Sequence, residues 1–474
     1  MKNGRRLLSS QMIGIESHTC FDILNGDKQY EKEVIKKANG SYVMQWVPKI
    51  KFWLTLWLVI LISASVLAQE DSTSIYRNNE GFGGPKTVGA QLEVDNAPRF
   101  ERRIPIKYTK PWYDFKAELS KKTGIEFGIN YTSIFIYSTQ TVNDNATNNA
   151  SSGILDFQGG WTFLNRKKGK NTGKLFVKIN SRHSYNGPNS TSPMFHGLNE
   201  SGYYGLPATG FRDYSIRITE FNYQQSLFDN RFHFVVGKVD PTNYFNFHGL
   251  IVPWQHFIGY VAAVSGSVDW PNQGLGGVIS IRPTEKIYIM GGLTDVRGDV
   301  FRTGEFFNLG DQFQNGKFWK AVEVGYVPTF GERYYKKFSI TYWHSDAYIN
   351  ENDAEIASGQ GIAVSAHWFF QERFIPFARF GISNGNGENA FYKADVQIGH
   401  GYRFLNYDIL GVNLSWNQPN ISDAKDQITA EVFYRLNVTA HLEFTPSIQF
   451  VANPTLNPNQ SSLFYFGIRG RITF

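Results

Sequence analysis

A two-residue alternation of apolar and polar side chains runs from Gly124 to the end of the chain, and it restricts the fold more than any other pattern. It is clearest last. Phe464, Phe466, Ile468, Gly470, Ile472 and Phe474 alternate with Tyr465, Gly467, Arg469, Arg471 and Thr473. Successive strand residues point to opposite faces, so one face is greasy and the other carries two arginines. The same rhythm sets Ile428, Ala430, Val432 and Tyr434 against Thr429, Glu431 and Arg435, and Val322, Val324 and Tyr326 against Glu323. Composition agrees. With 45 Gly, 16% aromatic and 19% charged residues, the chain reads as all-β rather than as a coiled coil, a disordered chain or an α/β enzyme.

The connections separate a barrel from a soluble sandwich. Reading back from the end, 452–462 is long, 437–441 short, 417–427 long, 405–407 short, 383–391 long and 371–373 short. The alternation continues to 140–152, giving fifteen connections and sixteen strands. Short turns on one side and long loops on the other mark an up-and-down outer-membrane barrel, whereas sandwich turns do not segregate. Strands of about ten residues suit a tilted span, and lipid demands closure because an open edge leaves backbone groups unpaired. Trp161, Tyr326, Trp368, Tyr402 and Trp416 fall where interfacial girdles belong. The expected fold is a 16-stranded antiparallel up-and-down transmembrane β-barrel over 124–474. A short N-terminal periplasmic segment, 69–123, precedes it. One helix is expected there between Ile104 and Lys122, with Trp112, Phe115 and Leu119 on one face.

The long apolar run Phe52–Ala68 follows Lys49 and Lys51 and ends in Val66-Leu67-Ala68. Residues 49–68 therefore read as a signal peptide, with Gln69 as the mature start. Residues 1–48 read as an over-long start or a disordered extension, since Met44 offers a conventional beginning. From Gln69 onward Lys+Arg exceeds Asp+Glu by only two, so the basic balance gives no reason to expect nucleic acid. The only cysteine, Cys20, falls within residues 1–48, and no His-x-x-x-His or other metal-ligand pair occurs. No cofactor or metal is expected.

Glu220-Phe221-Asn222-Tyr223-Gln224-Gln225 leads into Gly237-Lys238-Val239-Asp240-Pro241, and Pro271 to Gly277 leads into Ile281-Arg282-Pro283-Thr284. With Gly325-Tyr326, Phe450 to Pro454, Gly467-Ile468-Arg469 and the Pro111–Gly124 entry, this order resembles the carbohydrate-selective porin family of OprB type. The resemblance runs from about 110 to 474. It implies passive uptake of mono- and oligosaccharides across the bacterial outer membrane. Phe474 resembles the aromatic end signal read by the barrel-assembly machinery. The expected partners are small sugars and outer-membrane lipid, for a monomer or a homotrimer.

Sixteen strands imply an aqueous lumen. The loop 240–276, with Trp254, His256 and Trp270, is expected to fold into it or line its mouth. Trp254 and Trp270 are candidate sugar platforms, because aromatic faces stack on C–H-rich sugar faces. Arg217, Arg282, Glu323, Arg379, Glu431 and Arg435 are the candidate pore-lining charges, either contacting hydroxyls or bridging the wall. Glu220 and Asp240 read as hairpin braces. Two rivals are an anion or general diffusion porin, which favours a one-sign constriction, and a barrel-embedded lipid hydrolase, which needs Ser, His and a carboxylate together. His344-Ser345-Asp346 has those residue types, but neighbours on one strand face opposite ways. No enzyme is expected.

Overall fold

A computed structural model describes residues 82–474 except 99, 101, 188–189, 300–315, 351 and 405–406. The expected signal peptide, the 1–48 segment and residues 69–81 lie outside the described residues.

Two helices precede the strands: α1 (Val88–Asp95) and α2 (Lys110–Thr123). Thr87 caps α1, its hydroxyl accepting the Ala90 N–H. Pro111 sits in the first turn of α2, and Gly124 closes it at φ +79. That left-handed cap suits glycine, and a Cβ there would lie 2.2 Å from the Thr162 carbonyl oxygen. Only α2 falls in the expected stretch. The expectation missed α1, an eight-residue helix too short for periodicity to reveal.

The strands are β1 (Ile125–Ser138), β2 (Asn149–Leu164), β3 (Gly173–Ser184), β4 (Tyr214–Leu227), β5 (Phe232–Val239), β6 (Gly274–Ile281), β7 (Ile287–Asp295), β8 (Phe318–Tyr326) and β9 (Lys336–Ser345). A small hairpin, β10 (Tyr348–Ile349) and β11 (Glu355–Ile356), stands apart. Then follow β12 (Gly359–Trp368), β13 (Phe374–Ser383), β14 (Tyr392–Arg403), β15 (Ile409–Pro419), β16 (Gln427–Asn437), β17 (Leu442–Ala452) and β18 (Ser462–Thr473). Setting the β10–β11 hairpin aside, sixteen antiparallel strands close into one barrel, with β1 paired to both β2 and β18. Closure satisfies every edge, as lipid requires. The final residue completes the seam: Phe474 and Ile129 exchange backbone hydrogen bonds at 2.8 and 3.1 Å.

The alternation sorts the faces as the residues dictate. On β18, Phe464, Phe466 and Ile468 are exposed on the outer wall, while Arg469 and Arg471 are buried inside. Outward apolar side chains recur around the barrel, as with Val322, Val324, Ile340, Tyr342, Ile398, Val432, Phe444 and Ile448. Tyr326 stacks on Trp368, 6.5 Å between centroids, within the aromatic fringe.

Candidate functional site

The inward polar residues do not face an empty cylinder. The connection between β5 and β6 folds into the barrel, and every residue from Pro241 to Trp270 is buried. It carries a single turn of helix, α3 (Tyr260–Ala263). Part of the β3–β4 connection joins it, with the Tyr260 N–H donating to the Leu206 carbonyl at 2.9 Å and the Thr209 N–H donating to Ile258 at 2.8 Å.

A buried loop must satisfy its backbone groups, and charged wall residues do this here. Glu323 on β8 accepts the Asn246 N–H at 2.7 Å, and also Thr341, Lys337 and Tyr288 side chains. Arg379 on β13 donates to the Asn246 carbonyl at 2.9 Å and the Ala263 carbonyl at 3.0 Å. Glu431 on β16 accepts the Ile258 and Gly259 N–H groups at 2.8 and 2.9 Å. Asp395 on β14 accepts the Ser267 N–H at 2.9 Å. Arg469 donates to the Pro253 and His256 carbonyls, and Arg435 lies 3.2 Å from His256 Nε2. Charges of both signs thus ring the lumen, and each of them bonds to the loop. Of the candidate charges, Glu323, Arg379, Glu431 and Arg435 come together on this loop. Arg217 stands apart, half-buried on β4 opposite Asn180. Arg282 lies in the short turn after β6 and donates to the Asn230 carbonyl. Glu220 accepts from Asn243 at 3.0 Å, and Asp240 caps its own turn while meeting Lys86 at 3.2 Å.

The two tryptophans do not present open faces. Trp254 is 6% exposed; its indole N–H donates to Gln91 of α1 at 2.9 Å, and the Lys178 ammonium sits 4.3 Å above its ring. Trp270 is 5% exposed, donates to the Ser265 carbonyl at 3.0 Å and packs on Trp319 at 5.5 Å. Stacking needs a free ring face, and in this arrangement both rings serve the packing of the loop.

The amino segment was the unforeseen partner. The Gly84 N–H donates to Asn243 at 2.6 Å, Arg333 donates to the Gly83 carbonyl at 2.9 Å, and Arg471 meets Asp95 at 2.7 Å. The signal available beforehand was Thr87, a capping residue just before Val88. Beneath α1, at the short-turn end, a cavity of about 530 Å³ opens between α1, α2 and strands β1 to β5. Gln224, Gln225, Lys174, Glu126 and Ser120 are among its walls.

The run His344-Ser345-Asp346 lies at the end of β9, hydrogen-bonded to its neighbours. His344 and Asp346 lie 3.5 Å apart, with Ser345 buried. Ser358 Oγ approaches His344 at 3.2 Å, but its hydroxyl also points at the Ser345 carbonyl, 2.9 Å away. Asp346 is held by Lys320 and the Phe318 N–H. Among the described residues no group of three His, Cys, Asp or Glu side chains is placed to hold a metal.

Residues 111–363 and 396–474 match the family model of the carbohydrate-selective porins, OprB family. Among solved structures, the high-pH structure of Pseudomonas putida OprB superposes with a TM-score of 0.61 at 14% identity, covering 80% of this chain and 99% of that one. The low-pH structure of the same protein gives 0.44 at 13% identity, covering 77% and 98%. A variant of Rh. blastica porin gives 0.46 at 10% identity, covering 74% and 100%. No curated protein sequence matches.

Proposed function

Because the chain belongs to the carbohydrate-selective porin family, we propose that its selectivity for mono- and small oligosaccharides resides in the width set by the infolded 240–273 loop. The chain is an integral outer-membrane β-barrel through which carbohydrates diffuse. The observation that carries the finer reading is the complete burial of Pro241–Trp270 against wall charges of both signs. A neutral solute rich in hydroxyls must exchange its water hydrogen bonds for weak ones that do not trap it. A mixed lining suits that exchange, whereas a one-sign ring favours ions. Glu323, Arg379, Glu431 and Arg435 then act on cargo by holding the loop that sets the bore. Arg217, near the long-loop end of β4, and Arg282, at the short-turn end, are the side chains proposed to meet cargo at either end of the path. Phe474, joined to β1 at the seam, is the proposed contact of the assembly machinery, and both a monomer and a homotrimer fit this barrel.

Reconstituted protein should speed liposome swelling in glucose and in a disaccharide, with the rate falling steeply as chain length grows. Equal rates for sugars and for salts of similar size would favour the general diffusion reading. Rates no faster than empty liposomes would remove the porin reading itself.

A further inference from the structure

Helix α2 has three faces, and only two are accounted for by the porin. At about 100° per residue, Tyr113, Lys116 and Ser120 form one stripe. Tyr113 and Lys116 are buried against the barrel rim; Tyr113 stacks on His441 at 5.1 Å. Lys110, Asp114, Glu118 and Lys121 form a second, charged and exposed, laced by the Lys110–Asp114 pair at 2.7 Å. Trp112, Phe115 and Leu119 form the third. Trp112 is 38% exposed and Phe115 51%, while Leu119 is half-buried.

This third face continues the lipid-facing wall. The Trp112 ring meets Phe127 edge-on at 5.7 Å and stacks on Phe115 at 5.8 Å. Phe127 is an outward residue of β1, in line with exposed Ile125 and Ile129. Lys122 lies at the border between the aromatic and charged stripes, its side chain in solvent-accessible contact with Glu118. Tyr108, just before the helix, is exposed too. Tryptophan beside a hydrocarbon-facing strand, with lysines along its outer edge, is the chemistry of the membrane–water interface.

We propose that the Trp112–Phe115–Leu119 face docks into the headgroup layer of the inner leaflet, so that α2 is an interfacial helix. One stripe grips the barrel, one enters the lipid boundary and one faces the periplasm. The inference rests on the outer-membrane barrel reading. It adds a consequence for the pore, because Lys116 and Ser120 on the neighbouring stripe line the 530 Å³ chamber. Lipid contact therefore helps to hold one wall of that chamber.

The test uses single cysteines in a Cys20→Ser background, since Cys20 is the only cysteine. Positions 112, 115, 114 and 118 are each labelled with an environment-sensitive dye and the protein is reconstituted in phosphatidylethanolamine–phosphatidylglycerol vesicles containing spin-labelled lipid. Labels at 112 and 115 should be quenched several-fold more by the lipid than those at 114 and 118, and shielded from iodide. If Trp112→Cys fails to fold, Phe115→Cys and Leu119→Cys carry the same comparison. A label at 115 as open to iodide as one at 118 overturns the proposal. Sugar-driven swelling of the same vesicles reports separately on the pore, so a working pore with an aqueous position 115 sinks the docking alone.

Discussion

Glu323 and Arg379, three strands apart in the ring, close on the same loop residue: Glu323 accepts the Asn246 N–H while Arg379 donates to the Asn246 carbonyl and Oδ1. Asn246 takes φ +49 between them, a left-handed conformation that asparagine tolerates better than most residues. The pair therefore fixes the point where the 240–273 loop turns inside the barrel. Oppositely charged wall residues are used here as a clamp, each satisfied by backbone groups.

Glu323→Gln should loosen that clamp. Lys337, 3.0 Å from the carboxylate, then loses this ionic partner inside the barrel, and leaving one buried charge uncompensated costs about 3–5 kcal/mol. Single-channel recordings should show a larger and noisier conductance, and the variant should melt at lower temperature. An unchanged conductance would mean that the loop is seated by other contacts.

Trp254→Phe removes the indole N–H while keeping a large aromatic ring. The lost hydrogen bond to Gln91 is worth about 1 kcal/mol, and Gln91→Leu should have a similar effect because it removes the other end. Both variants should loosen α1 from the loop, read as faster hydrogen exchange over 88–95, with sugar block of current altered to the same degree by each. If Trp254→Phe abolishes block while Gln91→Leu leaves it intact, the ring itself meets sugar.

The barrel was legible because its cause is local. Alternation such as Phe464, Phe466, Ile468 against Arg469 and Arg471 encodes both faces of a strand, and the fifteen connections predicted from turn spacing match the sixteen observed strands. That Glu323, Arg379, Glu431 and Arg435 face inward follows from the same period. What they touch does not, because each bonds to residues more than forty positions away in the chain, as Glu431 does to Ile258. Aromatic residues in a long loop read equally as sugar platforms or as packing, and the packing contacts of Trp254 and Trp270 emerge only from the fold of Pro241–Trp270. Helix α1 escaped because its contacts, such as Asp95 to Arg471, are tertiary.

Acid should release the strap that runs along the short-turn rim. Asp408, in the turn between β14 and β15, accepts from Arg103, from the Asn437 N–H at 2.9 Å and from Tyr434 at 2.7 Å. Burial opposes ionisation there, but these bonds outweigh it and hold the carboxyl below its ordinary 3.8. A depressed carboxylate contributes stability that is present above its unfolded value and lost as pH falls through the folded one. The Arg103 contact should thus be intact at neutral pH and fade only below about 3.8, seen as faster hydrogen exchange over 102–109. Asp408→Asn should show fast exchange at all pH values; a variant that still titrates like the parent would assign the effect to another group.

Gly259 and Glu431 offer a cycle in which one seat is broken from both sides. The Gly259 backbone sits at φ −64, open to any residue, so its constraint is space: a Cβ would lie 2.8 Å from Glu431 Oε2 and 3.1 Å from Gln449 Oε1. Gly259→Ala should push the loop off the Glu431 carboxylate. Glu431→Gln turns one of the two acceptors toward the Ile258 and Gly259 N–H groups into a donor, leaving a buried N–H unpaired at about 1–3 kcal/mol. Each variant alone should raise conductance and weaken discrimination between mono- and disaccharides. Because both act on the same pair of hydrogen bonds, the double variant should fall short of the sum of the singles by about 0.5–3 kcal/mol in stability. Additive losses would mean that the carboxylate and the glycine seat different parts of the loop.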